Sequence, residues 1–145
     1  MKFLTACLLL LPFSLFSQVN MTQLGYLDLV SAHGNSDAND IWGYVDGSNN
    51  EYAIVGLNDG TSVVDVTDPS NPFEVFYEAG MNSIWRDIKT WNNHAYITTE
   101  AQNGLLIIDL STLPGNNNLT TNYYYGPTGN EWQSAHNLYI DENGY

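Results

Sequence analysis

From about residue 41 onward the chain is built of short apolar runs, rich in β-branched and aromatic residues and bounded by Gly, Asn, Asp or Pro. This is the pattern of strands joined by tight turns, and no helix is called for. The first unit predicts strands near 41–45, 52–57, 62–66 and 73–77, joined by the turn-forming stretches 46–50, 58–60 and 68–72. The second predicts strands near 85–91, 95–99, 105–110 and 121–125. Val63-Val64 and Leu105-Leu-Ile-Ile108 are apolar on both faces, as expected where one sheet is sandwiched between others.

The two units are copies. Residues 52–60 can be laid on 96–104, and 62–66 on 106–110, at an offset of 44. Ile41-Trp42 matches Ile84-Trp85 at 43, which places one inserted residue just before Tyr96. A period of this length is that of one four-stranded propeller blade. The predicted fold class is all-β: a β-propeller with four-stranded antiparallel blades, with repeats at about 41–80 and 84–126 and a third unit starting near 134. Closed propellers have roughly 4 to 8 blades. Residues 18–145 therefore read as an incomplete propeller fragment of about two blades plus the start of a third.

The chain opens with Met1-Lys2, a nearly all-apolar run from Phe3 to Phe16, and the small Ser17, which together read as a secretory signal peptide over residues 1–17. The run contains Pro12 and is shorter than the roughly 20 residues of a membrane-spanning helix. Cys7 is a poor lipidation site, since the apolar region follows it instead of preceding it. It is also the only cysteine, so the domain after the leader has neither a disulfide nor a thiol nucleophile. Beyond the leader, Arg86 and Lys89 face all 16 acidic residues, a formal charge of −14 that opposes binding to nucleic acid or anionic lipid. With 43% apolar and only 13% charged residues, the chain is core-forming and its surface relies on Asn, Ser, Thr and Gly. It contains no Gly-rich phosphate loop, no nucleophile elbow and no Cys/His cluster.

Asp40-Ile-Trp-Gly-Tyr44, Glu51-Tyr-Ala-Ile-Val-Gly-Leu57, Gly60-Thr-Ser-Val-Val-Asp-Val-Thr-Asp-Pro69, Ile84-Trp-Arg-Asp-Ile-Lys89, Asn93-His-Ala-Tyr96 and Ala135-His-Asn137 together resemble the choice-of-anchor B family, whose members carry LVIVD-type propeller repeats. The resemblance runs from about Gly25 to Tyr145. It implies an exported bacterial propeller whose relatives share this body and differ in a C-terminal sorting or surface-anchoring segment that is not present here; it implies no activity. Gln102-Asn103-Gly104 departs from a pattern in which a His often precedes the Gly, so no role for that His is carried over.

The candidate ligand-binding residues are Trp42, Trp85, Arg86, Asp87 and His136, all on or near first strands, which lie closest to the channel of a propeller. Alternation sends Trp85, Asp87 and Lys89 to one face and Arg86 and Ile88 to the other. Arg86 suits an anionic or carbonyl ligand; the structural alternative is a two-point bond to a carboxylate of a neighbouring blade. His136 beside Asp87 would make a metal-ligand pair or an acid–base couple, against hydrogen bonding within the channel wall. Trp42 and Trp85 fall at matching repeat positions, which favours packing between blades, whereas Trp91, Tyr124 and Trp132 do not repeat and suit exposed contacts. His33 would reach the channel mouth if 26–30 formed the strand closing the ring, and His94 reads as a turn residue. Asp37, Asn39, Asp40, Asn58, Asp59, Asp65, Asp68, Asp141, Glu142 and Asn143 offer oxygen ligands for Ca2+ without the spacing of an EF-hand, while Asp65 and Asp109 recur as turn caps.

The reading that follows is a secreted or surface-anchored, non-catalytic propeller that binds an extracellular protein or carbohydrate. The alternatives are a hydrolase or lyase, in which His136 and Asp87 share proton transfer and Arg86 holds substrate charge, and a calcium-stabilised spacer. A two-blade body leaves sheet faces and edges uncovered, so the isolated 145-residue product is expected to associate or precipitate. Size-exclusion chromatography checks this, and a sharp monomeric peak with cooperative melting contradicts it.

Overall fold

The hairpins of this chain are closed by residues that tolerate left-handed backbone or supply their own hydrogen bonds. Asn92 and Asn93 take φ of 47° and 59° between the paired Trp91 and His94, the two-residue turn whose twist matches its strands. Asp46 caps the longer turn 46–50: its carboxylate accepts from the Ser48 N–H at 2.7 Å, the Asn50 N–H at 2.9 Å and the Tyr52 hydroxyl at 3.2 Å. Asp65 and Asp109 do the same job one blade apart, accepting from the Thr67 and Ser111 N–H groups at 2.9 and 2.8 Å.

The computed structural model describes residues 21–34 and 37–145, so the leader with Cys7 lies outside the described residues. The strands are β1 (Ala38–Val45), β2 (Glu51–Leu57), β3 (Gly60–Asp65), β4 (Phe73–Ala79), β5 (Arg86–Trp91), β6 (His94–Thr99), β7 (Leu105–Asp109) and β8 (Thr121–Tyr124). They form two four-stranded antiparallel meanders, β1-β2-β3-β4 and β5-β6-β7-β8. The all-β fold of two blade-like sheets is as the sequence predicts. No helix of the described residues is long and apolar enough to cross a membrane.

Alternation decides what each face buries. Tyr52, Ile54 and Val63 of the first sheet pack on Ile88, Ala95, Ile97, Leu106 and Ile108 of the second, and Ile54, Val63, Ile88 and Ile108 are completely buried. The opposite face of the first sheet holds Val55, Leu57 and Val64, covered by Leu27 and Leu29. Those two leucines belong to a leading segment that contains a one-turn helix, α1 (Leu29–Ala32), instead of the ring-closing strand considered at 26–30. The local reason is Asp28, whose carboxylate accepts from both the N–H and the hydroxyl of Ser31 and so curls the chain. His33 consequently stacks on Tyr77 of β4, with ring centroids 3.7 Å apart, and bonds Glu74 at 2.7 Å; it does not reach the first strands.

Two further expectations change. In β7, Leu106 and Ile108 are buried but Leu105 and Ile107 only half-buried, so this strand is tightly covered on one side alone. Residues 134–140 form no strand: they have no antiparallel partner among the described residues and are held to the second sheet by Ala135 N–H to Thr99 O at 3.1 Å and by side-chain bonds. The turn after them is nevertheless a copy of 46–50, because the Asp141 carboxylate accepts from the Asn143 and Tyr145 N–H groups as Asp46 does from Ser48 and Asn50.

Strand pairing also redraws the repeat. Asp65 pairs with Tyr52, but Asp109 pairs with His94, two residues before Tyr96. The extra length therefore lies in the connection after Thr99, not just before Tyr96. Trp42 pairs with Ile54 while Lys89 pairs with Tyr96, which makes Lys89, not Trp85, the counterpart of Trp42, and Asp87 the counterpart of Asp40.

Candidate functional site

β1 and β5 are edge strands of their own sheets, so each presents unpaired backbone groups to its neighbour. Asp40 fills that need. Its Oδ2 accepts from the Ile88 N–H at 2.9 Å, linking the first strand of one blade to the first strand of the next. Asp87 repeats the contact one blade on, accepting from the Leu138 N–H at 2.7 Å. Asp87 also pairs with Lys89, whose ammonium donates to Ile88 O at 2.9 Å and sits 4.4 Å from the centroid of Trp42. The Trp42 indole in turn donates to the Thr90 hydroxyl at 3.1 Å. Burial works against ionisation of Asp87, but the hydrogen bond from Lys89, the Leu138 N–H and the Lys89 charge outweigh it and hold the carboxyl below its usual range.

Arg86 points the other way, into the space between the sheets. Its Nε donates to Leu57 O at 2.6 Å, and its Nη2 to Met81 O at 2.8 Å and Asn58 O at 3.3 Å. The side chain is only 7% exposed. Gly56 makes the passage possible, since a Cβ there would lie 3.1 Å from the Arg86 Cβ and 2.4 Å from the Asn39 carboxamide oxygen. Burial pushes the guanidinium pKa down, against the opposing influence of Tyr123, Tyr77 and Asp59. Arg86 thus ties adjoining blades, but through three backbone carbonyls instead of the carboxylate expected from the sequence. Carbonyl acceptors at a turn leave no signature in side-chain identity.

His136 stands at the end where β1 and β5 begin and where β2 turns into β3. Its partner is not Asp87: Nδ1 lies 2.6 Å from Glu100 Oε1, on the connection between β6 and β7. Its ring is 5.6 Å from that of Trp85, which precedes β5 and is 50% exposed. Sequence reasoning missed Glu100, because laying 52–60 on 96–104 without a gap hides the longer connection after Thr99 that strand pairing reveals. The five candidates therefore divide into three places: Trp42 with Lys89 and Asp87 along the inner strands, Trp85 with His136 and Glu100 at the entry end, and Arg86 buried between blades. Arg86, Asp87 and His136 do not converge on a common point, as an acid–base pair with an anion holder requires.

Among the described residues no three of His, Cys, Asp and Glu are grouped to hold a metal. Three of the acidic residues suggested for Ca2+ serve their own turns: Asp65 takes the Thr67 N–H at 2.9 Å, Asp68 the Ser70 N–H at 3.0 Å and Asp141 the Asn143 N–H at 2.9 Å. Trp91 is partly exposed and abuts Gly144, Tyr124 is exposed, and Trp132 packs on Gly126. His94 bonds Asn92 O at 2.8 Å within its turn.

Residues 37–77 and 85–124 each match the model of the LVIVD repeat, and these spans take in all of β1 to β8 apart from the last two residues of β4. No curated protein and no solved structure matches the chain.

The depressed pKa of Asp87 fixes a sign. Its ionised form stabilises the fold above the unfolded value of 3.8, and that contribution is lost as pH falls through the lower folded value. Urea unfolding should find Asp87→Asn less stable by about 1–2 kcal/mol at neutral pH, with the gap to wild type closing on acidification. A gap that is absent or constant with pH contradicts this.

Proposed function

The chain belongs to the LVIVD repeat family, and from that premise we propose that it forms part of an exported β-propeller of the choice-of-anchor B type, secreted or held at the cell surface, that binds an extracellular protein or carbohydrate without transforming it. Export is supported by the leader composition of residues 1–17. The binding role is carried by one observation: at the entry end of the inner strands an indole, Trp85, stands half exposed beside a His136–Glu100 pair, where nothing in the core requires it. A non-catalytic role accords with the separation of Arg86, Asp87 and His136.

Two measurements test this. N-terminal sequencing of the protein recovered from its host should show cleavage before Gln18 in a non-cytoplasmic fraction; an uncleaved cytoplasmic chain contradicts export. Labelled protein on glycan and peptide arrays should bind selectively and lose that binding in Trp85→Ala. Absence of selective binding on both arrays contradicts the binding reading.

A further inference from the structure

The molecule contains its own example of how it holds a cation. Lys89 Nζ sits over the Trp42 ring at 4.4 Å with the Asp87 carboxylate as its counter-charge, which is an aromatic face and an acid cooperating on one ammonium. At the entry end the same two components stand on either side of His136, with no lysine or arginine on them. Trp85 offers an indole that is 50% exposed, and Glu100 a carboxylate that is about half exposed and keeps one oxygen beyond its contact with His136.

Charge selects the ligand. Of the three basic residues, Lys2 lies outside the described residues, Arg86 is spent on carbonyls between blades, and Lys89 is spent on Asp87 and Trp42. No arginine or lysine of the described residues is left to meet an anion, while the chain carries a formal charge of −13. An anionic or acidic partner would find only repulsion here, and a cationic one is steered in.

We propose that Trp85 and Glu100, with His136 orienting the carboxylate, form a recognition site for a lysine or arginine side chain of a partner protein, the partner's cation taking the place that Lys89 fills at Trp42. This rests on the binding role proposed above and narrows it from extracellular ligands in general to basic peptide segments. Trp85 supplies the π face and the apolar wall for the aliphatic stem, and Glu100 the counter-charge.

Calorimetric titration of the full chain with tetralysine, and with tetraglutamate as comparison, tests it at physiological salt, where diffuse attraction to an acidic surface is screened. Tetralysine should bind and tetraglutamate should not. Trp85→Ala should weaken tetralysine by about two- to thirtyfold, the range of a cation–π contact from exposed to desolvated. Glu100→Gln should weaken it comparably, which covers the case in which Trp85→Ala fails to fold, and His94→Ala, in a turn at the opposite end, should leave it unchanged. The proposal is overturned if tetralysine does not bind, or if Trp85→Ala and Glu100→Gln bind it as wild type does. Selective binding to the glycan array with no binding of tetralysine would overturn it while leaving the broader binding role intact.

Discussion

A carboxylate on the first strand of each blade accepts a backbone N–H from the segment that follows the blade, β5 for Asp40 and the strandless stretch 134–140 for Asp87, and the arrangement of the molecule follows from that contact. Edge strands carry donors that their own sheet cannot satisfy. Asp40 meets this cost at Ile88, and Asp87 gives the same bond to Leu138 in the segment after β8. Because the bond is charge-assisted and partly shielded from solvent, it is among the stronger single hydrogen bonds such a fold can make. Arg86, the residue before Asp87, works in the opposite direction and returns its guanidinium to the turn carbonyls of the preceding blade. Adjacent residues thus bind the second blade backward to the first and forward to the segment 134–140, and the apolar faces of Ile54, Val63, Ile88 and Ile97 meet between the two sheets.

This use of charge has a consequence for the surface. A chain with so few cations that commits both Arg86 and Lys89 to internal contacts leaves an outer field that is almost wholly negative. Structural economy and partner selection then have one origin: the contacts that hold the blades together also remove the groups that would attract anions. What remains exposed at the entry end is aromatic and acidic, Trp85 beside Glu100, with a histidine between them.

The eight strands were legible in the sequence because strand burial and turn chemistry are local: Asn92-Asn93 and Asp46 act on residues within a few positions. The pairing of blades was legible in outline, since Arg86 and Ile88 alternate with Asp87 as a strand requires. Three features were not. The correspondence of Asp40 with Asp87 was hidden because Trp42 and Trp85 align more readily by eye, and only cross-strand pairing shows that Lys89 occupies the Trp42 position. The acceptors of Arg86 are main-chain carbonyls, which any sequence provides. Glu100 meets His136 across a connection whose added residues set its reach, a distance that spacing alone does not encode. His33 was misplaced for a related reason, since a single Asp28–Ser31 cap turned an expected strand into a helical turn.

The most direct test of the inter-blade contact is amide hydrogen exchange read residue by residue at Ile88 and Leu138. If the carboxylates hold the strands, Asp40→Ala accelerates exchange at Ile88 while Leu138 stays protected, and Asp87→Ala does the reverse, each amide serving as the folding control for the other. Exchange at Ile88 and Leu138 that is indifferent to both substitutions would mean that apolar packing alone joins the blades and that the carboxylate contacts are incidental.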